Sequence, residues 1–317
     1  MLEKTSWYPF NDGPVSRMRR MEPRLSHPSI IIPSESKDGK WHMFAHTWIG
    51  IGHFVSTSGL NWILDGYPFM NAKDPFVYRE GKAFHLIYIE KKGLSDRIKK
   101  DKEKGYRVLI SSSEDLFKWS EPKILFDSSQ MALLSFARES GKISNPQLVF
   151  FEGKYRLYFT TGEVEVFDSK EKVSYALALA ESDSLTGPYK LYSNSIMHTD
   201  PDSPYTSISI GSFRMIPCSD AVASIEASVF YDKSAERSRS ALLLLKSTDG
   251  RSFAFSKKIH ETPDEGWSSI MLTSLDLKFL EDDNTWYCYY SALSRREKFP
   301  FFKEENLGLL LGRIIKA

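Results

Sequence analysis

The chain has 317 residues, with 42 Lys and Arg against 41 Asp and Glu and a formal charge of +1. That balance excludes the broad basic field of a nucleic-acid or anionic-lipid binder, so neither nucleic acid nor membrane is expected among its partners. No apolar run approaches the roughly 18 residues of a membrane-spanning helix, and residues 1–11 lack the apolar centre of a secretory signal, so a cytoplasmic location is expected.

The first 25 residues read as an extended lead-in, with turn chemistry at Asn11-Asp12-Gly13. Arg17, Arg19, Arg20 and Glu22 follow just before the first strand, and Glu22 is a candidate site acid there. A first unit spans about 26–65: Ser26-His27-Pro28-Ser29-Ile30-Ile31, then Gly39-Lys40-Trp41-His42-Met43-Phe44, then a third strand from His53 ending in Ser58-Gly59-Leu60-Asn61-Trp62. The stretch between its second and third strands carries His46, Trp48 and His53. An indole face suits the apolar face of a sugar ring and imidazoles suit its hydroxyls, so these three are candidate sugar contacts.

A second unit, about 70–125, repeats the pattern. Lys73-Asp74-Pro75-Phe76-Val77 leads to a Gly81-Lys82 turn, the strand Ala83-Phe84-His85-Leu86-Ile87-Tyr88-Ile89, a third strand from Tyr106, and Ser113-Glu114-Asp115-Leu116-Phe117-Lys118-Trp119. Glu90 ends its second strand and is a candidate sugar ligand; residues 97–104 form a basic loop. A third unit, about 140–192, follows Arg138 and reads Ser144-Asn145-Pro146-Gln147-Leu148-Val149, then Gly153-Lys154-Tyr155-Arg156-Leu157, then a third strand ending at Ser182, with residues 163–172 inserted.

Two further units are less regular. The fourth has Ala223–Asp232 as its expected first strand, with Glu226 at the place of Asp74. The fifth has Ser269–Leu280, with Ser274 at that place. Short β-branched and aromatic runs between Gly and charged turns, repeated every fifty to seventy residues, predict an all-β fold: one domain over 1–317 forming a five-bladed β-propeller of antiparallel four-stranded sheets. Cys218 and Cys288 lack CxxC spacing, so no disulfide framework and no cysteine-ligated metal is expected.

Asp74-Pro75, Gly153-Lys154-Tyr155 and Ser113-Glu114-Asp115-Leu116-Phe117-Lys118-Trp119 together resemble the five-bladed propeller glycosidases, the arabinanase, xylosidase, levansucrase and invertase group with glycoside hydrolase family 43. The resemblance implies a carbohydrate in the axial funnel. It also implies three axial acids from successive blades: a general base, a carboxylate that orients and tunes, and a general acid. Here those places hold His27, Asp74 and Asn145, so only one carboxylate is kept. Three readings stay open. The first is a hydrolase with a shifted set, in which Asp74, Glu226 and His27 act on substrate held by Asn145, Arg138, His46, Trp48, His53, Glu90 and Glu22. The second is a phosphorylase, in which inorganic phosphate replaces the missing base. The third is a propeller that binds carbohydrate without cutting it. No cofactor is expected; an axial calcium occurs in relatives of this type, but no ligand spacing here fixes one.

Overall fold

In the computed structural model, residues 2–16, 24–91, 105–133, 142–218, 221–296 and 299–314 are described. Five antiparallel sheets surround a common axis, one per blade. Blade one is built from Ser26–Ile31, Trp41–His46, Gly50–Ser56 and Ile63–Met70, in that order outward. Blade two follows with Ala72–Glu80, Ala83–Lys91, Tyr106–Ser113 and Lys123–Asp127. Blade three uses Ile143–Phe151, Lys154–Thr161, Ala176–Ser182 and Lys190–Leu191, and its inserted loop forms a separate hairpin, Val164–Glu165 with Lys172–Val173. Blade four is Ser209–Pro217, Val222–Asp232, Arg237–Ser247 and Ala254–Glu261.

Blade five is closed by both ends of the described chain. Met271–Leu280, Thr285–Arg296 and Phe299–Ile314 come from late sequence, and the fourth strand is Thr5–Pro9, paired from Thr5 opposite Ile314 to Pro9 opposite Leu310. The expected lead-in is therefore partly a strand that locks the ring. In blade four, the expected first strand is the second; the inner strand is Ser209–Pro217. The small and polar residues of Ser209-Ile210-Gly211-Ser212 hide the true inner strand.

Each pair of neighbouring blades buries its own apolar layer. Phe126, Phe159, Leu148 and Ile87 fill the space between blades two and three, and Leu244, Leu275, Cys288 and Trp286 fill that between blades four and five. Trp41, Met43 and Tyr289 join blades one and five. Burial of one such large side chain stabilises by about 1.5–3 kcal/mol, so the ring depends on all of these layers together.

The serine at the end of the third strand recurs because it caps the following turn. Ser56 Oγ accepts from Gly59 N (3.0 Å), Ser113 Oγ from Leu116 N (2.9 Å), Ser182 Oγ from Ser184 N (3.0 Å) and Ser247 Oγ from Gly250 N (2.8 Å). Asp115 and Asp249 accept further turn N–H groups two and three residues on. Among the described residues, no helix is long and apolar enough to cross a membrane.

Candidate active site in the axial funnel

Inner strands of neighbouring blades share no hydrogen-bonded ladder, and each carries a bulge at the same height. The register slips between Ser26 and Ser29, Lys73 and Phe76, Ser144 and Gln147, Ile210 and Phe213, and Leu272 and Ser274. The displaced residues are His27, Asp74, Asn145, Gly211 and Thr273. All five line one funnel of about 230 Å³ at the axis. His27, Asp74 and Asn145 share a left-handed backbone, with φ of 51°, 54° and 53°, and each is followed by proline. Holding non-glycine residues there costs on the order of 1 kcal/mol each, a kind of strain that clusters at functional sites. The bulge turns these side chains out of the strand's alternation and into the funnel.

Side chains stitch the inner strands together beneath the funnel. The His27 N–H donates to Ser274 Oγ (2.7 Å), the Val77 N–H to Ser29 Oγ (2.9 Å), the Asn145 N–H to Asp74 Oδ2 (3.2 Å) and the Met215 N–H to Gln147 Oε1 (2.9 Å). Ser274 is thus a fully buried strut, and the funnel position of blade five is Thr273, one residue earlier than the sequence suggested. Below the floor, the Arg214 guanidinium pairs with Asp276 and lies 4.6 Å from the Phe76 ring centre, while Asp276 also accepts the Ile30 N–H.

At the floor, Asp74 is 4% exposed. Its Oδ1 faces His27 Nε2 and His46 Nδ1, each 3.7 Å away, and its Oδ2 faces Lys73 Nζ at 3.5 Å. Burial alone would raise its pKa; Lys73, His27, His46 and the Asn145 N–H outweigh that and hold the carboxyl well below its usual range. His46 closes the second strand of blade one, opposite Ser26 and so beside the His27 bulge. Burial pushes its imidazole down to about 3, with His27, Arg24 and Lys73 adding to burial and Asp74 opposing it. Both groups therefore keep one charge state, carboxylate and neutral imidazole, across the physiological range.

The structure thus brings His27, His46, Asp74 and Asn145 together and separates other expected residues from them. Glu226 lies on the second strand of blade four, not the first, and does not line the funnel; it is buried and accepts the Ser228 hydroxyl (2.6 Å). Because residues alternate across a strand, its neighbour Ala227 lines the funnel and Glu226 turns away. His53 is also misplaced: its ring stacks on Phe44 and His42 between blades one and two, with Nε2 2.9 Å from His42 Nδ1. Trp48 is 72% exposed in a short turn and Glu90 sits opposite Ala72, and neither lines the funnel. Arg138, Glu22 and the basic loop 97–104 lie outside the described residues.

Several lining residues were not expected from the sequence: Lys73, Arg24, Thr273 and Glu305. Glu305 is 5% exposed, accepts the Thr273 hydroxyl and pairs with Arg24 Nε at 3.3 Å. It stands on the third strand of blade five, where no repeat signature marks it. A signal did exist for Lys73, which directly precedes the bulge.

Burial pushes the Glu226 carboxyl up to about 7 from 4.5, against the lowering effect of the Ser228 hydroxyl. The folded protein keeps a proton that the unfolded chain releases near pH 4.5, so the contribution of this group to stability declines as pH rises from about 5 to 7. Above pH 7 the cost is about 3 kcal/mol. Glu226→Gln removes this contribution while leaving the opposite one of the buried histidines in place: the denaturant midpoint of the variant relative to wild type at the same pH is expected to rise between pH 5 and pH 8.

No known protein family matches the sequence, and no curated protein matches it. Solved structures do. An N-acetylgalactosamine deacetylase from F. plautii, in complex with blood group B trisaccharide, is 12% identical with a TM-score of 0.66 over 97% of this chain and 95% of that one. A family 117 glycoside hydrolase from Zobellia galactanivorans is 13% identical with a TM-score of 0.59, over 100% and 94%. A xylan β-1,4-xylosidase from Bacillus halodurans is 14% identical with a TM-score of 0.57, over 94% of this chain and 56% of that one. The chain shares the five-bladed propeller fold of these structures. At these identities the likeness concerns the fold, and chemistry has to be argued from the funnel.

Proposed function

We propose that the protein is a carbohydrate-active hydrolase whose reaction takes place in the axial funnel around Asp74. The observation that carries this reading is a buried, ionised carboxylate at the floor of a polar cavity, faced by two imidazoles on a strained and rigid backbone. A concave site with a few convergent polar groups and perturbed ionisation is what a small-molecule reaction centre requires. A carboxyl held ionised at neutral pH does not donate a proton, so Asp74 acts as base, nucleophile or ligand. Glu226 is not its partner in this reading, because it faces away from the funnel; among the described residues the other funnel carboxylates are Glu171 and Glu305.

A second reading is favoured by the cations that line the funnel: Arg24, Lys73, Lys142 and Lys172. They would suit inorganic phosphate as the attacking group. Each already faces an acid, Glu305, Asp74 or Glu163, which places hydrolysis first.

The test is a screen of aryl glycosides, short oligosaccharides and N-acetylated amino sugars, with and without phosphate. Released acetate is scored along with released sugar, since one structural neighbour is named as a deacetylase. Turnover without phosphate is expected. Turnover only with phosphate would replace hydrolysis by phosphorolysis. Saturable saccharide binding without turnover would reduce the funnel to a recognition site, and neither binding nor turnover would overturn the carbohydrate reading.

A further inference from the structure

We propose that His27 Nε2, His46 Nδ1 and Asp74 Oδ1 form a site for one divalent transition-metal ion of the zinc class at the funnel floor; this rests on the reading of the funnel as a reaction centre. Ligand atoms of the three residues lie within 4.8 Å of one another, and they are the only such His, Cys, Asp and Glu group among the described residues. Both imidazole nitrogens stand 3.7 Å from the same carboxylate oxygen, too far for hydrogen bonds. Ligands held at about 2.0–2.2 Å around a tetrahedral ion are about 3.4 Å apart, so an ion fits between these atoms with shifts of a few tenths of an ångström.

Neighbouring groups orient the donors as a metal site needs. Asp74 Oδ2 is taken up by the Asn145 N–H and faces Lys73, which leaves Oδ1 to the imidazoles. Asn145 itself donates through Nδ2 to Thr160 Oγ1 (2.8 Å), and its Oδ1 is buried on the wall of the same funnel with no hydrogen-bond partner among the described residues. It is a further oxygen available to an ion or to an ion-bound water. His27 and Asp74 are fixed by equivalent bulges, and His46 is fixed by its strand pairing, so the donors arrive on rigid elements.

Two imidazoles and one carboxylate select zinc, iron, cobalt or nickel. Calcium prefers six to eight oxygens and magnesium an octahedron of oxygens, so this donor set does not suit an axial calcium. Three protein ligands leave coordination positions open toward the funnel, the arrangement of catalytic rather than structural sites. Such an ion would supply what the bulge positions, with Asp74 as their one acid, do not: a group that polarises an oxygen or a bound water.

The test titrates protein stripped with chelator, using Zn²⁺, Co²⁺ and Ca²⁺ separately, by calorimetry and, for Co²⁺, by visible absorption. One Zn²⁺ or Co²⁺ per chain is expected, with no saturable Ca²⁺ binding. His27→Asn and His46→Ala are each expected to weaken Co²⁺ binding at least tenfold and to change its spectrum. His27→Asn suits the left-handed backbone, as Asn145 shows at the equivalent bulge, and a thermal melt checks that both variants are folded. Absence of stoichiometric Zn²⁺ and Co²⁺ binding to wild type overturns the proposal. So does binding that both variants retain unchanged, or binding of Ca²⁺ alone. Saccharide binding or turnover by stripped protein that binds no transition metal would leave the carbohydrate reading standing and remove this one.

Discussion

Asp74→Asn is expected to lose at least about 100-fold in turnover of whichever saccharide the funnel accepts, the scale of one acid–base group, while its thermal melt stays close to wild type. The two halves of this expectation have separate causes. Loss of turnover follows from removing the one buried charge that His27, His46 and Lys73 all face. Retention of the fold follows from the backbone. Asp74 has φ of 54°, a conformation that asparagine tolerates better than most residues, and Asn145 occupies the equivalent bulge at 53°. The amide oxygen of asparagine can still accept the Asn145 N–H. Asp74→Ala lacks this compensation and is expected to melt earlier as well. Unchanged turnover in Asp74→Asn would remove the residue from the chemistry.

Asp276→Ala is expected to destabilise the folded protein by about 3–5 kcal/mol, measured from denaturant midpoints at constant slope. Asp276 is fully buried, pairs with Arg214 and accepts the Ile30 N–H, so it ties three inner strands together below the funnel. Truncation leaves a buried guanidinium with its main partner gone and a buried N–H without an acceptor. That is a large share of the 5–15 kcal/mol typical of a folded domain. Adding Arg214→Met removes the uncompensated charge, and the double variant is expected to recover at least half of the loss. A single variant within 1 kcal/mol of wild type would show that the axial pair carries no net stability.

The propeller was legible because its repeat is written in turn chemistry. The serine that ends the third strand of blades one to four caps the next turn, and proline after the displaced residue marks three of five bulges, so blades one to three share one register in sequence. Blades four and five carry Gly211-Ser212 and Thr273-Ser274 at the bulge, with no proline. The register therefore slipped by a whole strand at Glu226 and by one residue at Ser274. His46 was found among the sugar-contact candidates, yet its neighbours Trp48 and His53 were not separable from it, because which face a residue takes depends on where the strand begins. Gly50 opens the third strand of blade one earlier than its composition suggests, and this turns His53 into the layer between blades. Glu305 was invisible for a different reason: apart from the serine that closes them, third strands carry no shared polar position, so only the assembled ring shows which of their residues reach the axis.

The strand Thr5–Pro9, completed by Phe299–Ile314 in blade five, also sets an order of events during synthesis. Blades one to four are each made from contiguous sequence and can pair as they leave the ribosome. Residues 5–9 must wait for nearly three hundred more before their partner exists. Until then the first strand is an unpaired edge of the kind that seeks other chains. Closure of the circle, and with it the union of His27 from blade one with Ser274 from blade five, therefore follows the pairing of the other four blades, and the funnel is assembled only once residues 299–314 have been made.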